Sequence, residues 1–266
     1  MQSPRVSGSL HDLLQLVPKT QCVQINPYKL IVAWNGVLTV AFKAWPKPLA
    51  DIKQHINELP EFSATPENFG TRWPKLTLAA LNDDAPPLTA DQLKELTNLC
   101  HQFDNELQQI GTIPLTHCSI VMFSSRSLEH YLCRVDYAFS STQTLDDGDV
   151  SQEYDEDSYK IVKDVVSETL LAEYINKVNS PGNRYGNHYI TIWTESTLVC
   201  FLTNGGSDEE KTTIPKSSAR LLDLMESFRR KVDDLLPNYY SWMPHQSLHL
   251  SLRALENRSN YTRDED

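Results

Sequence analysis

Basic residues are in short supply in this chain: 24 Lys and Arg stand against 35 Asp and Glu, for a formal net charge of -11. A surface that grips long nucleic acid does so through many phosphate contacts and needs positive charge on its binding face, so this deficit argues against long duplex partners. It leaves room for a small anion in a local basic pocket. Cysteine is also sparse. Cys22, Cys100, Cys118, Cys133 and Cys200 are odd in number, widely spread and never in C-x-x-C spacing, which speaks against a disulfide framework and a structural zinc site and fits a reducing compartment. No stretch approaches the roughly 18 apolar residues of a membrane helix, and residues 1–20 hold no apolar core of signal-peptide length. These absences predict a globular, intracellular protein, cytoplasmic or nuclear, without a membrane partner, metal or cofactor.

The periodicities predict an α+β fold. Residues 28–34 and 37–45 are β-rich runs separated by Asn35-Gly36, the pair that most readily supplies the two positive φ angles of a tight hairpin turn. Apolar spacing of three and four predicts helices over 49–59, over 89–103 behind Thr89, over 159–178 and from Ser217 or Ser218 to Leu236. Further strands are expected at 73–81, 115–123, 131–139, 189–194 and 198–203, the last two as a hairpin. Ser9 to Asp12 carries a capping-box pattern for a short leading helix that Pro18 closes. In outline, residues 1–27 read as an N-terminal extension, 28–255 as one domain with an acidic loop inserted at 143–157, and 256–266 as a polar tail. The acidic loop lacks the ligand spacing and central glycine of an EF-hand and reads as a solvated, self-repelling run.

Two stretches carry chemistry. In Leu248-His249-Leu-Ser251-Leu-Arg253 the apolar residues alternate, so a strand is predicted with Leu248, Leu250 and Leu252 on one face and His249, Ser251 and Arg253 on the other. An imidazole, a hydroxyl and a guanidinium in a row suit a phosphate, although a solvated edge strand would read the same way. Trp73-Pro-Lys75-Leu-Thr77-Leu repeats the frame, placing Lys75 and Thr77 together on one strand face. His117-Cys-Ser119 is a second candidate partner, set aside because it starts a later strand. His188 is read as structural.

This pair of strands resembles the two-histidine (2H) phosphoesterase superfamily, which includes RNA 2′,3′-cyclic phosphodiesterases and 2′-5′ RNA ligase-like proteins. His249-Leu-Ser251 matches the family's His-x-Thr/Ser motif. The first motif keeps Thr77 but has Lys75 in the histidine position. The resemblance implies a two-lobed fold of antiparallel sheets around a central cleft, with helices outside. It implies His249 and Lys75 as the catalytic pair, and Thr77 and Ser251 as holders of the phosphate. Arg253, on the His249 face, could clamp the phosphate or form a surface salt bridge. Tyr240 and Trp242 are candidates to stack a base. The substrate it implies is a cyclic phosphate or 2′-5′ phosphodiester on a nucleotide or short RNA end. Lysine changes the chemistry, because with a reference pKa of ~10.4 against ~6.5 for histidine only about one in a few thousand is neutral at pH 7. A catalytically inactive binding or scaffold protein is the alternative.

Overall fold

The computed structural model describes residues 17, 20, 22–63, 66–140, 153–190, 195–203 and 215–256. Apart from Val17, the leading helix expected at 9–17 lies outside the described residues, as do the tail after Glu256 and most of the acidic loop. The chain is mixed α+β and its sheets are antiparallel. In order, the strands are β1 (Val23–Ile25), β2 (Pro27–Val32), β3 (Leu38–Phe42), β4 (Lys75–Leu81), β5 (Ile113–Leu115), β6 (His117–Phe123), β7 (Tyr131–Ala138), β8 (Glu195–Phe201), β9 (Tyr240–Trp242) and β10 (His249–Glu256). The helices are α1 (Lys47–Glu58), α2 (Pro60–Ser63), α3 (Ala90–Gln109), α4 (Glu156–Glu168), α5 (Tyr174–Val178) and α6 (Lys216–Leu235). One sheet runs β2-β3-β4-β9, a second runs β10-β8-β6-β7, and β1 pairs with β5 as a separate ribbon. Residues from both four-stranded sheets share one core: Leu38, Val40, Leu76 and Leu78 from the first, and Leu198, Cys200, Leu250 and Leu252 from the second.

Local chemistry explains where the elements start. Asn35 and Gly36 have φ of 59° and 76°, the positive angles expected of the hairpin turn, and Val32 faces Leu38 across it. Thr89 and Gln92 form a reciprocal capping box at the start of α3, which satisfies two backbone donors that the first turn leaves orphaned. Buried Asp104 on α3 accepts from Lys29 Nζ at 2.6 Å and from the Leu30 backbone N–H at 3.2 Å, fastening that helix to β2. Phe103 of α3 meets Phe228 of α6 edge to face, with ring centroids 5.3 Å apart.

Two expectations need correction. The helix expected at 159–178 is two helices, and α4 begins earlier, because Asp155 caps it through the Ser158 N–H at 2.8 Å while Glu156 and Asp157 meet the positive end of its dipole. The end of the acidic run is therefore a helix start. Tyr189 belongs to a π-helical turn, Tyr185–Tyr189, residues 191–194 of the strand expected there lie outside the described residues, and the two described neighbours of β8 are β6 and β10. Within the segment expected to be an extension, β1 pairs with β5.

Gly36 tests the hairpin. A Cβ there would lie 2.4 Å from Leu81 Cδ1, in a backbone region that L side chains avoid. Gly36→Ala is expected to destabilise the chain by about 2 kcal/mol, read as a fall in the urea midpoint.

Candidate functional site

Lys75 and Thr77 project from β4 on the side opposite core residues Leu76 and Leu78. His249 and Ser251 project from β10 opposite Leu250. The pleat puts each pair on one strand face, and the packing of the two sheets brings the faces together. Lys75, Thr77, His249 and Ser251 all line a single cavity of about 470 Å³.

The cavity wall is poor in counter-charge around Lys75. No ion pair to its ammonium occurs among the described residues, and its Nζ lies 5.2 Å from the centre of the Trp73 ring. The backbone of Gly70 comes so close that an added Cβ would sit 3.0 Å from Nζ. Loss of hydration lowers the Lys75 pKa to about 8. His249 donates its Nδ1–H to the Ser247 carbonyl at 2.6 Å, a role the carbonyl dictates because it can only accept. Burial lowers the His249 pKa to about 4, with that hydrogen bond opposing the shift. At neutral pH the ring is uncharged, and Nε2 is its unprotonated nitrogen.

Further side chains line the wall. Arg126, after β6, holds Glu195 Oε1 with Nη2 at 2.7 Å, and its Nη1 lies 3.2 Å from His188 Nδ1. Burial, then the charges of Arg126 and Lys75, lower the His188 pKa to about 4. Tyr189 lines the cavity with Thr77, and burial pushes its phenol up to about 12, with the Thr77 side chain opposing the shift. His188 and Tyr189 reach the cavity on the π-helical turn, which is tied down where Ser127 N and Ser125 Oγ bond the Tyr189 carbonyl at 3.1 and 2.8 Å. His188 thus lines the site. A strand-like sequence hid this, since the turn draws its shape from partners more than 60 residues away. Trp34 and Phe69 stand at the cavity wall with ring centroids 5.4 Å apart, and Phe69 is 43% exposed.

Other expected site residues lie elsewhere. A β-bulge between Ser251 and Arg253 breaks the alternation of β10, so that Ala254 lines the cavity and Arg253 is turned into the interior. Arg253 Nε donates to Asn57 Oδ1 at 2.7 Å and Nη1 to the Ala254 carbonyl at 2.9 Å. It is not among the cavity-lining residues. Tyr240 is buried in the core, and Trp242 packs against Phe228 while donating to Asp233 Oδ1 at 2.9 Å; neither lines the cavity. His117 is engaged on both ring nitrogens, by Thr116 Oγ1 at 3.1 Å and Arg134 Nη2 at 3.2 Å. No helix among the described residues is long and apolar enough to cross a membrane.

No family model, curated protein or solved structure matches this chain.

The two neutral histidines make a stability prediction. Each titrates at about 4 in the folded chain and near ~6.5 unfolded, so between these pH values the unfolded state binds more protons. Stability is expected to fall as pH drops from ~6.5 toward 4, and His249→Asn should flatten part of that slope. Denaturant titrations of both proteins across this window check it; parallel curves would rule out the buried neutral imidazole.

Proposed function

We propose that this cavity binds the phosphate of a nucleotide or short RNA end, and that the chain is a 2H phosphoesterase-like protein hydrolysing a cyclic phosphate or 2′-5′ phosphodiester. The observation that carries this reading is the convergence of Lys75, Thr77, His249 and Ser251 on one cavity from two separate sheets. The fold reading that goes with it has the two four-stranded sheets as the two lobes.

The protonation states supply the roles. Neutral His249 offers Nε2 as general base to the attacking water, and protonated Lys75 acts as general acid on the departing ester oxygen. With its pKa at about 8, Lys75 is roughly nine-tenths protonated at pH 7 and still gives up its proton readily, which the reference lysine does not. The water oxygen bonds to phosphorus, the ester bond breaks, the His249 proton returns to solvent, and a phosphomonoester remains. Thr77 and Ser251 hydroxyls donate to the non-bridging oxygens, where charge builds up in the transition state. The exposed Phe69 ring beside Trp34 offers a stacking face for a nucleobase, the part first expected of Tyr240 and Trp242.

Lysine in the histidine position is also what a non-catalytic anion pocket would carry. Binding of a 2′,3′-cyclic nucleotide by the wild type without turnover would establish that second reading.

For the catalytic reading, kcat/KM for a 2′,3′-cyclic nucleotide should rise through about 4, as His249 loses its proton, and fall above about 8, as Lys75 loses its own. His249→Ala should cost about 10²- to 10⁴-fold in kcat. Lys75→His should keep activity and move the alkaline limb down toward ~6.5. An alkaline limb that stays in place would remove Lys75 from the acid role.

A further inference from the structure

Lys53 is a charged residue on the buried face of α1, beside Leu49, Ile52 and Ile56. Its ammonium has three acceptors. It donates to the Thr71 carbonyl at 2.6 Å and to the Leu252 carbonyl, and it pairs with Glu67. Two of these, Thr71 and Glu67, belong to the stretch 67–71 that leads into β4. The third belongs to β10.

Leu252 is the residue skipped in the β10–β8 register, between Ser251 paired with Val199 and Arg253 paired with Leu198. A bulge leaves its extra residue outside the ladder, and a buried carbonyl without a donor is costly. Lys53 supplies that donor. One turn further along α1, Asn57 accepts from Arg253 Nε and donates to Glu67 Oε2 at 3.1 Å, so both sides of the bulge are held from the same helix face. The loop on the other side of the ammonium carries Asn68, Phe69 and Gly70, all of which line the cavity, and Gly70 is the backbone packed against the Lys75 amine.

We propose that Lys53 is the positioning residue of this cavity: its ammonium ties the loop that encloses Lys75 to the bulge of β10, which holds His249 and Ser251 in the same space. The cavity's two halves come from distant parts of the chain, and Lys53 is the side chain bonded to the backbone of both. A buried ion pair contributes little net stability compared with apolar packing. What it supplies here is registration, since a single Nζ with three fixed acceptors tolerates little relative movement of the elements that carry them. The inference rests on the reading of this cavity as the site, but its test needs no turnover.

The test follows the Lys75 ammonium by NMR titration in the full chain, in Lys53→Met and in the double variant K53M/E67Q. The double variant removes both charges of the Lys53–Glu67 pair, and the glutamine amide can still accept from Asn57 through its oxygen and donate to Thr71 Oγ1. With the tie removed, the loop should withdraw and water should reach Lys75, so its titration moves up from about 8 toward ~10.4 by about one pH unit or more, a tenfold change in its acidity. A role in stability alone would lower the denaturant midpoint and leave the Lys75 titration unchanged, which would overturn the proposal. In the unaltered chain, hydrogen exchange at Thr71 and Arg72 is expected to follow the same opening as the β10 amides around Arg253. Loop amides that exchange far faster than those of β10 would overturn the tie whether or not either variant folds. A shifted Lys75 in a protein that hydrolyses no cyclic phosphate would count against the function proposed above and leave the role of Lys53 standing.

Discussion

Dehydration of charge without a counter-charge is the constraint on which this structure turns. Lys75 and His249 both sit in surroundings that disfavour their charged forms, and both have lowered pKa values for that reason first. The consequences differ because the starting points differ. A histidine moved to about 4 is fully neutral near pH 7, whereas a lysine moved to about 8 is still mostly charged but can release its proton. One environment therefore leaves the imidazole neutral and the ammonium mostly charged. Nearby carboxylates would have undone this by stabilising both charged forms. The cavity's carboxylate, Glu195, is held by Arg126.

Keeping water away requires the walls to stay together, and the walls are distant in sequence. β4 and its preceding loop form one side and β10 the other. Packing of Leu76 and Leu78 against the same core as Leu250 and Leu252 gives proximity without register. Register comes from directional bonds: the Lys53 ammonium to two carbonyls and Arg253 to Asn57. The residue expected to clamp a phosphate, Arg253, instead helps hold the strand that presents His249.

Much of the frame was legible from short-range patterns. Asn35-Gly36 specified its turn because few other pairs accept two positive φ angles, and Thr89 specified the start of α3 because a capping hydroxyl serves backbone N–H groups of the very next turn. The alternation of β4 and β10 placed Lys75 with Thr77 and His249 with Ser251. Where reading failed, the deciding interaction was long-range. Tyr185–Tyr189 is helical because the turn after β6 holds it, and Arg253 points inward because a bulge, capped from α1, shifts the alternation by one residue. Tyr240 and Trp242 adjoin the motif in sequence, but β9 pairs with β4 and takes them away from the cavity.

The sequence by itself determined the α+β class, most element positions and the two pairs of residues that meet in the cavity, since hydrophobic period and turn chemistry are local properties. Tertiary structure alone decided that the pairs face one another, that Arg126, His188, Trp34 and Phe69 join them, and that Lys75 has an acidity far from that of free lysine. Those outcomes depend on which surfaces lose water to which neighbours, a quantity set by the packing of residues up to 199 positions apart, as in the bond from Lys53 to Leu252.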